Sequence, residues 1–159
     1  MIRIQFKLRT LLVIVFLGSI ILTVASLHLR AVARDASSVK QLELHMPHVG
    51  YEMGRVANLE FPYGGKQLTD KEMPIIKGLC RLRIVDLTRA ALTIDGLKEL
   101  HELKHLEVIM LDADAFSTKD IAFLWNRHNT FKVLTVYLIK TDSNGERKCV
   151  TTLAGHGAK

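Results

Sequence analysis

The chain has 159 residues, 48% of them hydrophobic, with 22 Lys and Arg against 16 Asp and Glu and a formal charge of +6. That length allows one modest domain. Three cations fall in the first nine residues, no basic stripe follows, and a nucleic-acid partner is not expected; two cysteines, Cys80 and Cys149, are too few for a disulfide framework.

The first element is apolar. From Thr10 to Leu29 the chain carries 20 residues without a formal charge, the inner run reading LLVIVFLGSIILTVASL. At about 1.5 Å per residue this spans roughly 30 Å, the hydrocarbon thickness of a bilayer. A soluble helix would show a polar face, and this run shows none. It predicts a single-pass membrane helix over 10–29, with 1–9 as a cytoplasmic tail. Arg3, Lys7 and Arg9 precede it, while Asp35 offsets the cations that follow, so the positive-inside bias puts the rest of the chain on the non-cytoplasmic side. The rival is a cleaved signal peptide, for which Ala31-Val32-Ala33 would be the cleavage pattern. The run is longer than an ordinary signal core, which favours the anchor. Residues 30–44 read as a helix continuing from the membrane or as a polar stalk.

From residue 45 the pattern changes. HVGYEMGRVANLEF predicts a hairpin turning at Glu52-Met53-Gly54-Arg55. Then VANLEF (56–61), LRIVDL (82–87), LEVIML (106–111) and FKVLTV (131–136) share one L-x-x-L-x-L pattern, at spacings of 26, 24 and 25 residues. Between them, Leu68-Thr69, Leu92-Thr93 and Phe116-Ser117 each open a helical pattern. Thr69 with Glu72, and Ser117 with Asp120, read as capping boxes. Thr93 has Gly96 where the acid would stand, so that helix start is expected to be the weaker one. Each unit is a short strand, a turn and a short helix. None can bury its apolar face alone, and stacking gives them one continuous core.

Residues 56–136 resemble leucine-rich repeats, closest to the short bacterial type, on the evidence of the L-x-x-L-x-L strands and the turns LTDKEM (68–73) and LTIDGL (92–97). FKLRTLLVIVF is similar to the membrane leader of small bacterial proteins carrying such repeats. The pattern departs from the family where Gly64, Ala90 and Asp114 replace the usual Asn or Cys after the strand. The resemblance implies an α/β fold: a short leucine-rich-repeat solenoid, with parallel strands on one side and short helices on the other, behind an N-terminal transmembrane helix. The repeat domain would cover 45–140, with the N-terminal hairpin as a cap. A second hairpin turning at Ser143-Asn144-Gly145, with a disordered tail, would fill 141–159.

One segment suggests catalysis. HELKH (101–105) fits the H-E-x-x-H of zinc hydrolases, with His101 and His105 as ligands and Glu102 as general base. That chemistry needs both histidines on one unbroken helix. In the repeat register His105 falls in the turn before the next strand, and no third ligand follows. A zinc hydrolase is therefore the alternative, not the leading reading. His45 and His48 flank Pro47, which argues against a metal pair on one helix face. Asp112 and Asp114 have calcium-loop spacing without the remaining ligands. No cofactor is expected.

The outward residues of adjacent strands form three columns in this register: Asn58, Ile84, Val108 and Val133; Glu60, Asp86, Met110 and Thr135; Pro62, Thr88, Asp112 and Tyr137. Ile84, Val108, Met110, Val133 and Tyr137 make an apolar streak beside Asp86 and Asp112, a surface on which a protein partner or a second copy would dock. Tyr137 would be its anchor. The sequence thus points to a membrane-anchored, non-enzymatic interaction module.

Overall fold

The structure, a computed structural model, describes residues 8–62, 65–122, 133–142 and 146–156. It is a mixed α/β protein with one long N-terminal helix and a six-stranded sheet. The chain divides into two compact units between Arg34 and Asp35.

The first unit is helical. Helix α1 runs over Leu8–Gln41, unbroken across the uncharged run and into the second unit. Its apolar side chains are exposed, Phe16 at 66% and Leu22 at 72% among them. Thr23 and Ser26 return their hydroxyls to the carbonyls of Ser19 and Thr23, so neither leaves an unmet donor on the helix surface. Thr10–Gln41, whose most apolar 18-residue window has a mean hydropathy of 2.6, is long and apolar enough to cross a membrane. A signal sequence meets the same description.

The second unit starts with the last turns of α1, a 3₁₀ turn at Glu43–His45, and strands β1 (His48–Glu52) and β2 (Arg55–Glu60). The two strands pair antiparallel around Met53 and Gly54, both at positive φ (50° and 73°). Positive φ at both central residues gives the tight twist a two-residue hairpin needs. Strands β3 (Ile84–Asp86), β4 (Val108–Asp112) and β5 (Val133–Thr141) follow in parallel, and β6 (Arg147–His156) closes the sheet antiparallel to β5. Strand order equals chain order. The turn between β5 and β6 at 143–145 and the helical pattern beyond residue 122 lie outside the described residues.

The crossover from β2 to β3 carries a 3₁₀ turn (Asp70–Glu72) running into α2 (Met73–Lys77); that from β3 to β4 carries α3 (Ile94–Lys98) running into a 3₁₀ turn (Glu99–Glu102). Leu59, Val85, Ile109 and Val136 from the strands meet Met73, Ile76, Leu97 and Leu100 from the helices, and all are buried. At roughly 1.5–3 kcal/mol for each large side chain removed from water, this layer is the main stabilising term.

The strand register differs from the sequence expectation at one place. Ile84 pairs with Asn58 and Val108 with Ile84, offsets of 26 and 24 as expected, but Val108 pairs with Thr135 and not Val133. The reason is visible in the residues. FKVLTV and VLTVYL both satisfy the apolar pattern, the second through Val133, Val136 and Leu138. A slip of two residues keeps every side chain on its face, so alternation cannot separate the two registers. Leu138, buried at 4%, fills the inward position that the shorter offset would have given to Val136.

The helix start at Thr69 and the turn at Ser117 follow the same hydroxyl chemistry. Glu72 accepts from the amide and hydroxyl of Thr69 at 2.9 and 2.7 Å, and Asp120 accepts from those of Ser117 at 2.9 and 2.6 Å. Burial pushes the Glu72 carboxyl up, but the Thr69 bonds and nearby His45 outweigh it and hold the group below its ordinary range.

At Thr93 the expected deficit is absent. The acid comes from the preceding crossover: Asp70 accepts from the Thr93 amide at 2.9 Å and from its hydroxyl at 2.7 Å. Thr93 in turn accepts from the Gly96 amide at 3.3 Å. Gly96 has no side chain because Asp70 occupies the space; a Cβ there would lie 2.0 Å from Asp70 Oδ1. In an ordinary helix, Gly→Ala gains up to about 1 kcal/mol. Here Gly96→Ala is expected to destabilise by about 1–2 kcal/mol, because Asp70 must leave Thr93. Urea unfolding of the variant checks the sign, and Asp70→Ala combined with Gly96→Glu, which places the acid locally, should recover most of the loss.

Candidate binding face

The outward face of the sheet is built by alternation. With Leu59, Val85, Ile109 and Val136 turned inward, their neighbours turn outward. The observed register aligns Asn58, Ile84, Val108 and Thr135, then Glu60, Asp86, Met110 and Tyr137, with Asp112 beside Ile139. Ile84, Asp86, Val108, Met110, Asp112, Thr135 and Tyr137 therefore share one face. Tyr137 sits beside Met110, one row from its expected place beside Asp112, and Thr135 stands where Val133 was expected. Val133 itself pairs only with His156 on β6, and its side chain lies outside the described residues.

The apolar streak is half-buried, not open. Ile84, Val108, Met110 and Tyr137 all have intermediate exposure. Among the described residues of this unit, the large apolar side chains more than half exposed lie elsewhere: Leu44, Met46, Tyr51, Met53 and Val150.

Asp86 decides the character of the face. It is only 4% exposed, and Thr88 beside it only 7%. One carboxylate oxygen accepts from the Thr88 amide and hydroxyl at 3.0 and 2.7 Å, an Asx turn that ends β3. The other accepts from Arg147 at 2.7 Å, a residue 61 positions away on β6. The Arg147 side chain thus ties the start of β6 to the end of β3. Arg147 and Asp86 line a half-open pocket of about 180 Å³ together with His48, Glu60, Phe61, Pro62 and Arg89. Sequence reasoning gave Asp86 a place on the face but missed Arg147. No local signal marks it, since it follows the hairpin turn as one cation among three.

The H-E-x-x-H segment lies away from this face. The helical turn ends at Glu102, Leu103 leaves helical geometry at ψ 87°, and β4 begins at Val108. His101 is on the last turn, with its Nδ1 against the Lys98 carbonyl, and His105 is beyond the helix. Glu102 is bound to Lys77 at 2.7 Å, and Lys77 also holds Glu99 at 3.0 Å. The Lys77 hydrogen bond keeps the Glu102 carboxyl below its ordinary range, the opposite of the raised value that suits a general base. Among the described residues, no three His, Cys, Asp or Glu side chains gather closely enough to hold a metal ion. His45 is buried and donates from Nδ1 to the Lys66 carbonyl at 2.6 Å, while His48 starts β1 and is exposed. Cys80 and Cys149 are exposed free thiols.

The chain matches no protein-family model, no curated protein and no solved structure.

Proposed function

We propose that this chain is a leucine-rich-repeat interaction module, held in a bacterial cell membrane by α1, which binds a protein partner on the outward face of its sheet and carries no catalysis. The observation that supports it best is the recurrence of one unit. Parallel strands follow at offsets of 26, 24 and 27 residues, with buried apolar residues at matching positions. Hydroxyl-capped helix starts recur at Thr69 and Thr93, and the same Ser–acid pairing closes a turn at Ser117. A short array of this kind presents side chains in rows, which suits recognition of another chain better than small-molecule chemistry. In this reading 1–9 is a cytoplasmic tail, 10–29 spans the bilayer, and the repeat domain lies on the non-cytoplasmic side. The Lys77-bound Glu102 and the position of His105 beyond the helix favour this reading over a zinc hydrolase.

Proximity labelling of the intact protein in its membrane tests it. Changing Ile84 and Met110 together to Asp places two charges on the face, and specific partners should drop out of the labelled set. An unchanged set would remove the outward face as the docking surface. A set containing only copies of this chain would replace partner binding by self-association.

A further inference from the structure

Arg147 is positioned by a buried acid. Its Nη1 donates to Asp86 at 2.7 Å, and that carboxylate, only 4% exposed, is fixed in turn by the Thr88 amide and hydroxyl. Such a contact occupies one nitrogen of the guanidinium. It leaves the Nε–Nη2 edge, whose two parallel N–H groups match a carboxylate. Among the described residues, Asp86 is the only group bound to the Arg147 side chain, which stays 35% exposed and lines the half-open pocket of about 180 Å³.

The place of this pocket in the fold is informative. Glu60 and Asp86 are the last residues of β2 and β3, Phe61 and Pro62 follow the first, and Arg89 follows the second. The pocket therefore opens at the carboxyl ends of two parallel strands, where open α/β sheets take small ligands. Its charges are of both signs. Arg147 matches Asp86, Arg89 adds a cation, and Glu60 is an exposed carboxylate with no side-chain partner among the described residues. Two guanidiniums balance two carboxylates. A lone anion would meet Glu60 and a lone cation would meet Arg89, whereas a small molecule carrying both charges suits each. Phe61 and Pro62 add an apolar wall, and the space equals that of about six waters.

We propose that this pocket binds a small free α-amino acid, with its carboxylate on the Nε–Nη2 edge of Arg147, its ammonium on Glu60 and an apolar side chain against Phe61 and Pro62. The site is separate from protein docking and does not depend on it.

Isothermal titration of the full chain in membrane nanodiscs, with L-alanine and L-valine as probes, should show saturable binding at a single site with a Kd of about 1 mM or tighter. N-acetyl-L-valine and L-valine methyl ester, each lacking one of the two charges, should bind at least about tenfold more weakly. Glu60→Gln should weaken L-valine by the same factor and leave N-acetyl-L-valine unchanged, a split that general loosening of the fold would not produce. Arg147→Lys keeps a cation on Asp86 but removes the planar edge, so it should weaken both ligands alike. No saturable binding of either amino acid would overturn the proposal, and so would equal binding of L-valine and its N-acetyl form. Inorganic phosphate bound more tightly than L-valine would make this a plain anion site, which also overturns it. Should Arg147→Lys be isolated unfolded, the Glu60→Gln split decides alone. None of these outcomes bears on the labelled partner set, so the docking reading stands or falls by its own experiment.

Discussion

Asp35→Ala is expected to destabilise the sheet unit by about 3–5 kcal/mol, a drop of roughly 10–20 °C in apparent Tm. Asp35 is 1% exposed, on the stretch of α1 that belongs to this unit. Its carboxylate accepts from Arg55 Nε at 2.6 Å, from Arg55 Nη2 at 3.1 Å and from the Val56 amide at 3.2 Å. The fork geometry orients both groups, and the Arg55 pKa is raised first by its hydrogen bond to Asp35, against the opposing effect of burial. Removing the acid strands a guanidinium whose side chain is 11% exposed, together with a buried backbone amide. Burying an unpaired charge is the costly event, more than losing the pair itself. Replacing both partners by apolar residues, Asp35→Leu with Arg55→Met, should therefore recover at least half the loss, leaving mainly the unmet Val56 amide at about 1–3 kcal/mol. Pulse proteolysis of the intact chain in micelles measures both variants. Equal losses in the single and the paired variant would show that the ion pair is not what holds this part of the unit.

How much of this was legible depended on whether a feature repeats. The parallel strands were, because Leu82, Val85 and Leu87 recur as Leu106, Ile109 and Leu111, and burial enforces that spacing. The capping boxes were, because Thr69 and Glu72 need only three residues of chain to meet. The last register was not, because Val133, Val136 and Leu138 satisfy the same pattern as Phe131, Leu134 and Val136, and no one-residue flip exposes the error. Contacts between elements far apart in sequence left no trace. Asp35 read as one acid among cations, with nothing to assign it to Arg55; Arg147 gave no hint of Asp86. Gly96 read as a missing acid when it is the space that admits Asp70. Alternation alone aligns Ile84 with Val108 and Asp86 with Met110 as the repeat spacing has them, and it is silent about the Arg147 contact that Asp86 makes.

Gly65→Ala should cost about 2–4 kcal/mol, although the substitution adds one methyl group. A Cβ at residue 65 would lie 2.4 Å from the His45 carbonyl oxygen and 2.6 Å from its carbon. These are backbone atoms, so no side chain can swing aside. The close approach is held by two bonds: the Lys66 amide donates to the Leu44 carbonyl at 2.9 Å, and His45 Nδ1 donates to the Lys66 carbonyl at 2.6 Å. Moving residue 65 outward stretches both. Overpacking contributes about 1–3 kcal/mol, and His45, only 3% exposed, is left with an unmet ring nitrogen at about 1–3 kcal/mol more. The two overlap, since any relief of the clash is paid for by the bonds. His45 Nε2 also stands 3.7 Å from Glu72, whose carboxylate caps Thr69, so the disturbance should pass to the first helix start. Hydrogen exchange resolves that spread: faster exchange at the Thr69 and Lys66 amides, with β4 and β5 protected as before. Lys66→Ala serves as the control, because only its backbone is used, and should stay within about 0.5 kcal/mol of wild type. If Gly65→Ala is equally silent, the clasp between residues 44–45 and 65–66 contributes nothing to the fold, and the burial of His45 must be explained by its edge-on packing against Phe61 alone.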